Sequence, residues 1–198
     1  MLRGTYFITD SSFGSHEELA RKALDLGVRI IQFREKKMKD GEKLRIARNL
    51  RELTESYGAI LIINERVDLA IACDADGVHV GQEDLPCEVV KEIFDGIVGV
   101  SVSNVDEAVK AMKVNADYLG AGPVFATKTK EDAGDPIGIE GLKRIVEASK
   151  IPVFAIGGLN VENVVKVLEV GVDGVAAISA IAGDRAKDFI DLVNKYLK

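Results

Sequence analysis

Short apolar runs alternate eight times with helix-period stretches along these 198 residues, which predicts an α/β chain whose parallel strands close into a (β/α)8 TIM barrel. Two further observations point the same way. Most of the runs are continuously apolar rather than alternating, as befits strands covered by helices. Polar and charged residues also gather where the runs end, which in a barrel is one rim. The alternative is an open, doubly wound sheet, which needs a reversal of strand order that a sequence does not display. A single compact domain over residues 1–198 is expected, because no linker, repeat or low-complexity segment interrupts the pattern.

The expected strands are residues 5–9, 30–34, 60–64, 77–80, 97–101, 118–121, 153–156 and 174–178. Between the first two, Leu19, Ala20, Ala23, Leu24 and Leu26 share one side of a helix over 17–26. Leu44, Ala47, Leu50, Leu53 and Tyr57 repeat that spacing before the third strand, and Val161, Val164, Val165 and Leu168 repeat it before the eighth. Asn104 and Asn160 each precede an acidic first turn and are expected to cap helix N-termini. Gly27, Gly58 and Gly171 stand where helices should end.

Composition narrows the function. A formal net charge of −6 argues against nucleic acid or an anionic membrane as partner, so an anionic ligand would need local positive charge. No stretch approaches the roughly 20 apolar residues of a membrane span, and the first residues lead straight into a strand without a signal-peptide pattern. Cys73 and Cys87 lack CxxC spacing, so both are expected as reduced, buried or half-buried thiols in a cytoplasmic protein. With two histidines and two cysteines, a zinc site is not expected.

At the expected rim, the segment Gly120 to Lys130 opens from a tight apolar turn into Thr127-Lys128-Thr129-Lys130, where hydroxyls and ammonium groups alternate. Such a segment makes a poor core and a good cradle for phosphate oxygens. Gln32, Arg34 and Lys36 share a parity after strand two, and two adjacent cations suit a diphosphate lying between them. Glu65 and Asp84 follow strands three and four; a carboxylate pair beside a basic cluster suits Mg²⁺ shared with substrate phosphates. Gly157-Gly158 and Ile178-Ser179 follow strands seven and eight, where barrels bind phosphate through backbone N–H groups. Any of these taken alone is equally a solvated strand end or a tight turn. His79, between Val78 and Val80, reads as a satisfied core histidine, and His16 as a capping or exposed one.

Taken together the residues resemble thiamine-phosphate synthases over nearly the whole chain. The matching blocks are Tyr6-Phe7-Ile8-Thr9-Asp10, Gln32-Phe33-Arg34-Glu35-Lys36, Ile63-Asn64-Glu65-Arg66, Asp76 through Asp84, Gly99-Val100-Ser101, Gly122 through Lys130, Ile156-Gly157-Gly158 and Ala177 through Ile181. The resemblance implies a Mg²⁺-dependent enzyme that joins hydroxymethylpyrimidine diphosphate to thiazole phosphate and releases pyrophosphate. It implies that Gln32 and Ser101 contact the pyrimidine side, that Arg34, Lys36, Asn64 and Lys130 hold the diphosphate, and that Glu65 and Asp84 take the metal. Thr127, Thr129, Gly158, Ile178 and Ser179 would bind the phosphate or bridge the substrates, and Arg34, Lys36, Lys130 and Ser101 would be the catalytic group. A homo-oligomer is compatible with it.

Two positions depart from the pattern: Glu65 stands where aspartate is usual, and Ser103 where relatives carry histidine. The alternatives are a thiazole tautomerase, which relies on a histidine in the region of Ser103, and a catalytically silent phosphate-binding barrel.

Overall fold

In the structure, a computed structural model describing residues 2–127, 129 and 134–197, eight parallel strands form a closed barrel in chain order. The strands are β1 (Gly4–Thr9), β2 (Ile30–Phe33), β3 (Ile60–Asn64), β4 (Gly77–Val80), β5 (Ile97–Val102), β6 (Tyr118–Ala121), β7 (Val153–Ile156) and β8 (Gly174–Ala177). Outside them run α1 (His16–Asp25), α2 (Asp40–Ser56), α3 (Val67–Ala72), α4 (Cys87–Ile93), α5 (Val105–Lys113), α6 (Gly138–Ala148), α7 (Val164–Leu168), α8 (Ser179–Ala182) and α9 (Ala186–Tyr196). Each strand pairs with the next, and Gly4 of β1 opposite Gly174 of β8 closes the ring, which excludes the open sheet. Two strands stop one residue short of expectation, so Arg34 and Ile178 lie just past their ends. No helix among the described residues is long and apolar enough to cross a membrane.

The wall carries two apolar layers. Outward residues such as Phe7, Ile31, Leu61, Val98 and Leu119 join the helices in one large cluster. Tyr6, Ile8, Ile30, Ile62, Tyr118, Phe154, Ala176 and Ile178 fill the barrel. Three rings in that interior, Tyr6, Tyr118 and Phe154, meet edge-on with centroids 5.6–6.0 Å apart. Two of them fit because the paired residue on a neighbouring strand carries no side chain. A Cβ on Gly99 would lie 2.1 Å from Tyr118, and one on Gly174 would lie 2.4 Å from Phe154.

At the opposite end from the rim, one local design recurs. The turns into the strands pass through positive φ at Gly27, Gly58 and Gly171 as expected, and also at Asp74 and Asn115, residue types that tolerate that region. A buried small residue follows, and then, before β4, β6 and β8, an aspartate. Asp76, Asp117 and Asp173 accept from the N–H groups of Leu61, Val98 and Val153, on the strand before. Arg51 of α2 and Lys91 of α4 pair with the first two of these carboxylates. Asn104 caps α5 as expected, accepting from Glu107 N–H. Asn160 instead caps a turn, accepting from Glu162 and Asn163 N–H groups, and α7 begins only at Val164. Burial pushes the Cys73 thiol up to about 11 and raises that of Cys87, so both remain protonated and inert.

Candidate active site

A cavity of about 400 Å³ opens at the carboxyl ends of the strands. Its lining includes Arg34 and Lys36 after β2, Asn64 and Glu65 at β3, Asp84 after β4, Ser101 on β5, and Thr127 and Thr129 after β6. Gly158 follows β7, and Ile178 and Ser179 follow β8, on the same wall. Gln32 lies beneath, in a small recess that it shares with Tyr6, His79, Tyr118 and Phe154. Residues spread over some 150 positions of sequence thus meet at one rim. Lys130, together with Lys128 beside it, lies outside the described residues.

The β2 to β4 side is charged. Arg34 is held by Asp10, whose Oδ2 accepts from Nη1 at 3.2 Å. Lys36 Nζ stands 3.8 Å from Glu65 Oε2, and Asn64 donates to that same oxygen at 2.9 Å. Asp84 Oδ2 accepts from Gly81 N–H at 2.7 Å, which folds the turn after β4 onto itself. Glu65 has φ +56°, inside the left-handed region, while its N–H donates to His79 carbonyl at 2.8 Å. A glutamate there is strained, and aspartate tolerates that backbone better.

The end of β7 brings backbone to the cavity. Gly157 and Gly158 have φ +99° and +65°. Phe125 N–H donates to Gly157 carbonyl and Val124 N–H to Ile156 carbonyl, which stitches the start of the β6–α6 connection onto the end of β7. A Cβ on Gly158 would lie 2.8 Å from Ala126 carbonyl oxygen and from Phe125 Cβ, so both conformation and contact require glycine. Thr127 is engaged locally as well, its Oγ1 accepting from Thr129 N–H at 3.2 Å.

From beneath the cavity up to its wall a chain of polar groups crosses the barrel. Gln32 Nε2 donates to Tyr6 Oη at 2.7 Å, the Tyr6 and Tyr118 hydroxyls meet at 2.9 Å, and Tyr118 Oη lies 2.9 Å from His79 Nδ1. His79 Nε2 completes it at 2.9 Å from Ser101 Oγ. In the arrangement consistent with Gln32 as donor, each group donates to the next, and Ser101 keeps its hydrogen for the cavity. Burial, the dominant cause, raises the pKa of both phenols, so the chain stays neutral at its centre.

His79 is therefore satisfied, as the sequence suggested, but it also lines the cavity. Its parity with Gly77 on an inward-facing strand was the available signal. His16 departs further from expectation: it is neither cap nor exposed, being 1% exposed, and Ser15 caps α1. Ser103 donates from N and Oγ to Glu107 Oε2, so this position reinforces the start of α5 and brings no imidazole to the rim.

A family model described as thiamine monophosphate synthase matches residues 5–181. The chain belongs to the thiamine monophosphate synthase family. It is 54% identical over 197 residues to the thiamine-phosphate synthase of Archaeoglobus fulgidus, covering 96% of this chain and 93% of that protein. It is 52% identical over 179 residues to the thiamine-phosphate synthase of Pyrococcus furiosus, covering 90% and 86%. A solved structure of thiamine phosphate pyrophosphorylase from Pyrococcus furiosus superposes with a TM-score of 0.90 at 44% identity, over 98% of this chain and 95% of that one. The fold likeness extends over nearly the whole barrel.

Proposed function

We propose that this member of the family is a thiamine-phosphate synthase, joining hydroxymethylpyrimidine diphosphate to thiazole phosphate with release of pyrophosphate. The observation that carries this reading is one cavity with two unlike ends suited to anions: cations after β2, and the Gly157-Gly158 backbone after β7 with Ser179 after β8 beside it. Two substrates bearing one anion each can lie between those ends with their reactive atoms in the middle. The C–O bond to diphosphate breaks with its electron pair leaving on pyrophosphate, the electron-rich aminopyrimidine carries the carbocation-like methylene carbon that results, and the thiazole nitrogen lone pair captures it to form the new C–N bond.

Arg34 and Lys36 stabilise the charge that gathers on that leaving group, with Asn64 as a neutral donor beside them and Lys130 as a further cation. Thr127, Thr129, Gly158, Ile178 and Ser179 hold the thiazole phosphate, and Ser101 with Gln32 orients the pyrimidine through the polar chain beneath it. No strong general base is required, since the attacking nitrogen carries no proton to remove.

Magnesium fits the donor set. Among the described residues no three His, Cys, Asp or Glu side chains converge as a cage; Glu65 and Asp84, each tied through one oxygen, are the pair that would hold Mg²⁺ together with diphosphate oxygens. The ion would supply further neutralisation of leaving-group charge. The two inert, buried thiols suit a cytoplasmic enzyme. A tautomerase reading has no histidine at Ser103 to work with.

The test is pyrophosphate release from purified protein with each substrate alone, with both, and with and without Mg²⁺. Release that needs all three, with thiamine phosphate formed, is expected. Tight binding of both substrates without release would point to a silent barrel.

A further inference from the structure

The connection that carries Arg34 and Lys36 is fastened from behind. Glu35, between them in sequence, turns its carboxylate away from the cavity, and its side chain is 2% exposed. Oε1 accepts from the N–H groups of Lys37 at 2.6 Å and Met38 at 3.3 Å, folding the turn after β2 back on itself. Oε2 lies 3.1 Å from Nε2 of His16, the first residue of α1. Nδ1 of the same ring is 2.7 Å from Thr9 Oγ1, at the end of β1, and Thr9 donates to the carbonyl of Gln32 on β2 at 3.2 Å. The Phe33 ring stands edge-on to the imidazole at 4.7 Å.

Hydroxyl, imidazole and carboxylate in a row could suggest a nucleophile, but Thr9 is 0% exposed, and neither it nor His16 nor Glu35 lines the cavity. We infer that Glu35 and His16 are positioning residues, which lock the β2–α2 turn to β1 and α1 so that Arg34 and Lys36 meet the diphosphate at a fixed reach; this rests on the function proposed above. Burial alone would raise the Glu35 pKa, yet the donors from Lys37, Ser11, His16 and Met38 outweigh it and bring it down to about 2. The carboxylate is thus a permanent anchor at working pH. Asp10 adds a second strut from the same β1–α1 connection, directly to Arg34. Both cations of the leaving-group site therefore depend on a segment that does not itself touch the ligand.

The experiment measures binding of inorganic pyrophosphate with Mg²⁺ by calorimetry, and steady-state kinetics with both substrates, for wild type, Glu35→Ala, Glu35→Gln and His16→Gln. Pyrophosphate affinity should fall by on the order of tenfold in Glu35→Ala, the scale of losing a supporting partner. Glu35→Gln keeps an acceptor for the two N–H groups and should fall less, about threefold. The Michaelis constant for thiazole phosphate should stay within about twofold of wild type, because its loops lie across the barrel. Should Glu35→Ala not fold, Glu35→Gln and His16→Gln decide. Pyrophosphate affinity unchanged in both, or equal losses for both substrates, overturns the inference. Wild type that binds pyrophosphate but forms no thiamine phosphate overturns the proposed function instead, and the binding comparison still stands.

Discussion

The β2–β4 side of the rim meets the cavity with charged side chains, Arg34, Lys36, Glu65 and Asp84, whereas the end of β7 meets it with backbone at Gly157 and Gly158. The first arrangement concentrates charge but needs bracing, because flexible side chains lose entropy when held. The bracing is visible in Asp10, Asn64 and the Glu35–His16 pair. The second arrangement needs little bracing, since its donors belong to the barrel wall, but it tolerates no added atoms. A leaving group that gains charge suits the first; a phosphate that keeps its charge throughout the reaction suits the second.

That contrast can be broken by substitutions of different kinds. The largest effect is expected for Arg34→Ala, which removes a cation from the leaving group: kcat/KM should fall about 10³-fold, or about 4 kcal/mol, with little change in the Michaelis constant for thiazole phosphate. Single-turnover kinetics would show whether the loss lies in the chemical step.

Next comes the brace. The folded-state pKa of Glu35 is about 2 against an ordinary 4.5, so its stabilisation is complete above about pH 4.5 and is lost as pH falls toward 2. At full extent the shift corresponds to about 3 kcal/mol. Urea denaturation at several pH values should show the stability gap between wild type and Glu35→Gln closing across that window; a gap constant with pH would refute the assignment.

On the backbone side, Gly158→Ala forces a side chain into the left-handed region and against the Ala126 carbonyl. The expected cost is about 2 kcal/mol, read as a roughly 30-fold rise in the Michaelis constant for thiazole phosphate while pyrophosphate still binds. The smallest effect is expected for Glu65→Ala, since Asp84 remains to hold the ion together with diphosphate oxygens. Activity should fall and the Mg²⁺ concentration for half-maximal rate should rise, on the order of tenfold. Unchanged Mg²⁺ dependence would count against Glu65 as a ligand.

The sequence displayed the wall of this molecule more fully than its interior wiring. Continuous apolar runs located the eight strands to within about a residue, because a parallel strand covered on both faces leaves that mark locally. Arg34, Glu65, Asp84, Gly158 and Ser179 could be brought to one rim by reasoning only from strand ends, whereas Gln32, expected with them, lies beneath the cavity. The polar chain from Gln32 to Ser101 was out of reach: Tyr6 and Tyr118 touch across the barrel, 112 positions apart, and neither is a polar signal in an apolar run. Glu35 hid inside the charged stretch Arg34 to Lys37, where a buried carboxylate looks like any solvated one. Asp74 and Asn115 end their helices in the same left-handed turn as the glycines, but neither residue type marks a helix end as sharply as glycine does.

The three aspartates beneath the wall have a consequence for how the chain can be rearranged. Asp76, Asp117 and Asp173 each fasten a strand to its immediate predecessor, over sequence separations of 15, 19 and 20 residues. The ties therefore fall within the consecutive pairs β3–β4, β5–β6 and β7–β8. A circular permutant opened within α4, between the first two of these pairs, would keep every tie inside an uninterrupted stretch of polypeptide, whereas one opened within α3 would separate Leu61 from Asp76. The joints of the barrel, as distinct from its strands, mark where new ends can be made.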